Sequence, residues 1–240
     1  MNNIIQRSVG VINRDWDAAP DFNYFELDRT AEGTRTYEVT MILGSPYFRL
    51  IAVNGKPLSP KDQQTEEQKL NQAAARRRSE SPGERAQRVA NYQRGRKRDQ
   101  QMIEQMTKAF DFKLQGEQEL AGHDVYVLQA TPRPDYRPPT LETQALKGMA
   151  GRLWIEKGTF QWVRVEARVV RPVSIEGFLA RVEPGTRFEL ENMPVAPGVW
   201  LAQHFSMRSR SKILLLFPHR MQEDETYFGY HRAGNGAGQS

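Results

Sequence analysis

Apolar positions change period several times along the chain, and each change marks an element. Over residues 3–16, Ile5, Val9, Ile12 and Trp16 fall at i, i+4, i+7 and i+11, the stripe of a short amphipathic helix laid on a sheet. Pro20 ends it. From Phe22 the period becomes two: Tyr37, Val39, Met41 and Leu43 share one side of a strand whose other side carries Thr36, Glu38 and Thr40. A turn at Gly44-Ser45-Pro46 leads to YFRLIAV and to the Asn54-Gly55 pair of a tight hairpin.

Two helix starts then follow. Ser59-Pro60-Lys61-Asp62 and Ser81-Pro82-Gly83-Glu84 both place Ser at the N-cap, Pro at N1 and an acid at N3. They predict one helix to about Arg78 and a second from Pro82 to about Ala109. Only Met102, Ile103, Met106 and Phe110 make an apolar stripe there, so most of this pair reads as a solvated excursion over residues 59–109, inserted between strands.

After Phe110 the period of two returns. EQELAGHDVYVLQA is a hairpin turning at Gly122-His123, and residues 140–149 a short helix after a proline-rich connector. GRLWIEKGTFQWVRVEARVV is a hairpin turning at Lys157-Gly158, with Leu153 expected opposite Trp162 and Trp154 on the side of Val163 and Val165. GFLARV, TRFELENM, VWLAQHFSM, KILLLF and TYFGYHR complete about ten strands, and residues 233–240 form a flexible tail. With no strand–helix–strand rhythm, the pattern predicts an α+β fold: a large antiparallel sheet, curved because open sheets of that size curl. Helices across its concave face would enclose an apolar hollow.

Charge sharpens this picture. The 240 residues carry 34 Lys and Arg against 29 Asp and Glu, and the whole excess of five lies in residues 61–108; the remainder is balanced. Residues 76–98 alone hold nine basic side chains and two acids, with Arg76, Arg77, Arg78, Arg94, Arg96, Lys97 and Arg98 as the basic surface. These are scattered around the helical circumference, and Tyr92 is their only aromatic. That disfavours nucleic acid, which wants register and stacking rings, and suits an exposed helix drawn to anionic membrane surfaces.

Candidate chemistry is sparse. There is no cysteine, so no disulfide, thiolate nucleophile or Cys-ligated zinc. The four histidines lack metal-ligand spacing, and no nucleophile elbow or phosphate loop occurs. Arg164, Glu166 and Arg168 on one strand read as a cross-strand ionic ladder rather than a catalytic cluster. No enzyme, metal or cofactor is expected. The longest apolar run, residues 213–217, is too short to span a bilayer, and the N-terminus has no signal-peptide pattern.

The runs ESPGERAQRVANYQR, AGHDVYVLQATPRPDYRP, GRLWIEKGTFQWVRVEARVV and GVWL resemble bacterial outer-membrane-lipoprotein-sorting-like proteins of the LolA/LolB/RseB superfamily, over roughly residues 22–230. The resemblance implies one domain over residues 1–232. It also implies a half-open barrel holding acyl chains under helical lids, in the periplasm after a signal has been removed. The charged insertion at 59–109 departs from the carriers, and no functional residue of theirs maps onto a position here.

The expected function is thus a non-catalytic carrier or sensor, expected as a monomer, for a lipid or the acylated end of a lipoprotein. Trp154, Trp162, Tyr37, Val39, Met41, Phe48 and Phe188 are the expected cavity lining, and Met102, Ile103, Met106 and Phe110 the lid. The alternatives are an envelope protein-interaction module with a filled core, and nucleic-acid or anionic-membrane binding through residues 76–98.

Overall fold

The computed structural model describes residues 2–175, 180–213 and 217–234. Its elements run α1 (Asn2–Ala18), β1 (Phe22–Thr30), β2 (Gly33–Ile42), β3 (Ser45–Val53), β4 (Lys56–Pro57), α2 (Pro60–Ser79), α3 (Pro82–Ala109), β5 (Phe110–Leu120) and β6 (His123–Pro132). β7 (Met149–Glu156), β8 (Trp162–Val169), β9 (Val173–Ile175), β10 (Ala180–Val182), β11 (Arg187–Ala196), β12 (Val199–Ile213) and β13 (Phe217–Arg232) follow. The fold is α+β with a large antiparallel sheet, as the period-two runs require. The strand path β4-β3-β2-β1-β13-β12-β11-β8-β7-β6-β5 is open, with β4 and β5 as its ends.

Helix boundaries follow their caps. Ser59 Oγ accepts the Asp62 N–H at 3.2 Å. At Ser81 the capping box closes both ways: Ser81 N–H donates to Glu84 at 2.8 Å and Glu84 N–H to Ser81 Oγ at 3.3 Å. The Asn54-Gly55 turn has φ of 51° and 72°, the left-handed pair of a type I′ hairpin.

Several turn positions shift from the pattern. The first turn is Leu43-Gly44, with φ of 47° and 89°, and Ser45 and Pro46 already belong to β3. Likewise Ala121-Gly122 makes the second turn and His123 opens β6. The expected short helix is a 3-10 turn at Glu142–Gly148. Of KILLLF, Lys212 and Ile213 end β12 and Phe217 begins β13; residues 214–216, 176–179 (the last three of them in GFLARV) and the tail from 235 lie outside the described residues.

The chain divides into two compact units. The first comprises Met1–Trp16 and Asp99–Asp224, the second Asp17–Arg98 and Glu225–Ser240. In the first, Ile5 and Ile12 of α1 pack with Leu128, Leu153, Ile155, Trp162 and Val165 of the sheet. A second cluster joins Ala109, Phe110, Ala130, Tyr136 and Leu146. A third, of Val125, Val127, Trp154, Val163 and Trp200, includes the opposite side of the β7–β8 hairpin. In the second unit, α2 packs on β3, and β1, β2, β3 and the later part of β13 form the sheet.

Candidate functional site

The sequence-derived lining residues are distributed over both units. Trp154, Trp162 and Phe188 belong to the first, and Tyr37, Val39, Met41 and Phe48 to the second. The two tryptophans are buried, at 5% and 3% exposure, but on opposite sides of the sheet. A bulge in the β7–β8 ladder is the reason: Leu153 pairs Val165, Trp154 pairs Arg164, and Ile155 pairs Trp162. Trp162 and Val165 therefore share the α1 side, and Trp154 keeps only Val163 of its two expected neighbours.

Met102, Ile103 and Met106 sit on the last turns of α3 and are half-buried against the first unit's core. Phe110 is not on that helix; it begins β5 and is 4% exposed. Among the described residues, two of the surface hollows in this unit are an arginine-flanked one and a polar one. One, about 260 Å³, lies between Arg7 and Arg14 of α1 and Phe160, with the Arg7 guanidinium 3.7 Å from the Phe160 ring centre. The other, about 340 Å³, is lined by Gln129, Arg152, Glu166, Arg187 and Phe188. Here Glu166 pairs with Arg152 at 3.3 Å and Arg164 at 2.8 Å, an ionic ladder on a wet face.

The second unit presents a different surface. Pairings across β1, β2, β3 and β13 place Tyr24, Val39 and Phe48 in one row and Glu26, Tyr37, Leu50 and Tyr227 in the next, all on one face. Tyr24 meets Tyr227 at 5.8 Å and Tyr230 at 5.4 Å between ring centres, and Tyr37 meets Phe48 edge-on at 6.3 Å. Val39 is fully buried in the middle. Tyr24, Tyr37, Met41, Tyr227 and Tyr230 are half-buried, and Phe48 is 46% exposed. Tyr92 and Arg96 of α3 lie close enough to Tyr24 to act on its ionisation.

At one end of this face stand three carboxylates that sequence reading missed: Glu26, Asp28 and Glu225, with ligand atoms within 4.8 Å of one another. Among the described residues this is the cluster compact enough to hold a cation. Burial, then Asp28 and Glu225 nearby, push the Glu26 carboxyl up to about 8. The Tyr227 hydroxyl donates to Glu225, and its phenol is pushed far up by burial and that carboxylate. The signal was present in Glu26 and Asp28 at i, i+2 on one strand face, but Glu225 arrives from nearly two hundred residues away.

The basic segment also separates into two groups. Arg77 is half-buried and donates to the carbonyls of Ile42, Ser45 and Pro46 at 3.0, 2.8 and 3.0 Å. Arg88 reaches Leu43 O at 3.2 Å and Ser45 Oγ at 2.7 Å while pairing with both oxygens of Glu80. Leu43 holds a left-handed backbone uncommon for a side-chain-bearing residue, so the two arginines brace a strained turn. Arg77 therefore leaves the expected basic surface, because its guanidinium is taken up by three carbonyls around the β2–β3 turn. Arg96 is half-buried with its guanidinium 5.7 Å from the Tyr92 ring centre. Arg76, Arg78, Arg94, Lys97 and Arg98 are exposed.

No family model matches the sequence, and no curated protein matches it. Solved structures do. A Vibrio parahaemolyticus domain named for outer membrane lipoprotein sorting aligns over 96% of this chain and 94% of its own, at 11% identity and TM-score 0.34. A DUF1329 family protein from Desulfovibrio piger aligns over 98% and 95%, at 10% identity and TM-score 0.33. A LolA superfamily protein from Nitrosomonas europaea aligns over 91% of each chain, at 12% identity and TM-score 0.30. At such identities and scores these similarities decide nothing about family, ligand or activity.

Proposed function

We propose that this chain is a non-catalytic binding protein of the bacterial envelope that takes an apolar chain, the acyl part of a lipid or of an acylated lipoprotein, on the aromatic face of its second unit. The observation that carries this reading is the half-buried row of Tyr24, Tyr37, Met41, Phe48, Tyr227 and Tyr230 around the buried Val39. Aromatic surface left partly wet on a sheet gains about 25 cal/mol for each Å² that a ligand covers. Each methylene of an acyl chain adds about 0.8 kcal/mol, so a chain of about 16 carbons contributes roughly 10 kcal/mol before ordering costs. The periplasmic setting is what the sequence resemblance implies, and the absence of cysteine agrees with it.

Native mass spectrometry of the purified chain, followed by organic extraction, tests the reading. A co-purified or added acyl lipid should appear as a mass increment, and Phe48→Asp should weaken its retention about tenfold or more. A mass that stays apo after incubation with lipids and with an acylated peptide overturns it.

The reverse face favours a second reading, an envelope protein-interaction module. There Phe228 is 42% exposed and stacks on Phe25 at 5.5 Å. Crosslinking from a photoreactive residue in place of Phe228 tests this, and a crosslink pattern unchanged by Phe25→Ala would count against it.

A further inference from the structure

The α2–α3 hairpin carries more positive charge than its packing uses. Of the nine basic residues in 76–98, Arg77 and Arg88 are engaged with the β2–β3 turn and Arg96 lies along Tyr92. Both acids in the segment are engaged as well: Glu80 with Arg88, at 2.6 Å, and Glu84 in the Ser81 cap. What remains outward is six cations against the one exposed carboxylate of Glu84. Arg76, Arg78 and Arg85 stand exposed around the joint between the helices, and Arg94, Lys97 and Arg98 stand exposed at i, i+3 and i+4, one stripe of α3. Asp99, the next acid, is turned about 100° from Arg98.

We propose that this surface docks the protein on an anionic lipid bilayer. Charge complementarity alone selects the partner class, and the arrangement selects the bilayer over nucleic acid. A fluid anionic surface needs only a sufficient density of positive charge, so basic residues spread over two helices serve it well. A duplex needs register, and a single strand needs stacking rings. Tyr92, the one ring in this segment, is half-buried beside Arg96. The surface is distinct from the aromatic face and from the reading built on it, so acyl retention and bilayer docking can fail separately.

Co-sedimentation of the full chain with vesicles tests the proposal. Vesicles containing phosphatidylglycerol should bind at about 50 mM salt and release the protein at about 500 mM, where screening shortens to a few ångströms. Pure phosphatidylcholine vesicles should not bind. The triple variant Arg94→Gln, Lys97→Gln, Arg98→Gln should lose about 100-fold in affinity, roughly fivefold per charge, with an unchanged near-ultraviolet circular dichroism spectrum. Arg76→Gln with Arg78→Gln should lose about 25-fold. Equal binding to both vesicle types, no binding at low salt, or full affinity in both variants overturns the proposal. So does tighter binding to a short single-stranded or duplex oligonucleotide than to the anionic vesicles.

Discussion

Replacing Asp15 by Asn removes a charge that the first unit buries with too few partners. The residue is 3% exposed near the end of α1, and its Oδ1 accepts from Gln161 Nε2 at 3.3 Å and from the Trp200 N–H at 3.2 Å. Among the described residues its Oδ2 has no partner, nor does Oε1 of the equally buried Gln161. Two acceptors with nothing to accept are what a protonated or amidated Asp15 would relieve. Burial pushes the carboxyl from 3.8 up to about 6, against the lowering effect of its two hydrogen bonds. Ionising it in the folded state therefore costs about 3 kcal/mol at neutral pH.

Because the folded value is raised, the stability tied to this group is complete below about pH 4 and is lost as pH rises through about 6. Asp15→Asn should accordingly be more stable than the parent chain by up to about 3 kcal/mol at pH 8, and close to it at pH 4. The assay is urea unfolding followed by tryptophan fluorescence. All four tryptophans, Trp16, Trp154, Trp162 and Trp200, belong to the first unit, so the signal reports on the unit that carries the substitution. A difference between variant and parent that stays constant from pH 4 to pH 8, or a variant less stable at pH 8, would refute the reasoning.

The same logic applies to Glu26, raised to about 8, whose stability contribution is present below about pH 4.5 and lost as pH rises through 8; Glu26→Gln should gain about 1 kcal/mol or more at pH 9 and nothing at pH 4, read by tyrosine circular dichroism. Arg88→Ala removes the pair with Glu80 and two bonds to the β2–β3 turn, so it should cost about 2–4 kcal/mol, and Arg88→Lys should recover little because the fork is lost. Denaturant midpoints on the tyrosine signal give both values. Gly151→Ala would place a Cβ 2.2 Å from the Glu166 carbonyl in the paired strand; expression as a soluble, cooperatively unfolding protein with less than about 1 kcal/mol lost would show that this approach is not tight.

The periodicities alone determined much of this chain. Strong local signals, such as the Ser59 and Ser81 caps and the Asn54-Gly55 hairpin, located α2, α3 and the β3–β4 turn because capping and left-handed turns are decided within four residues. Period-two runs likewise sufficed for an antiparallel α+β fold. Where a strand's alternation is broken by a bulge, sequence pattern fails: the extra residue in the β7–β8 ladder put Trp162 and Trp154 with neighbours that strict alternation does not give.

The sorting of charges needed the tertiary structure. Arg77 and Arg78 are adjacent and chemically identical, yet one serves three carbonyls of a distant turn and the other faces water. The Glu26, Asp28 and Glu225 cluster and the Asp15–Gln161 contact were equally hidden, since each joins residues more than a hundred positions apart. Which groups lose water, and which polar atoms are left without partners, depends on chain segments meeting in space, and no local pattern records that meeting.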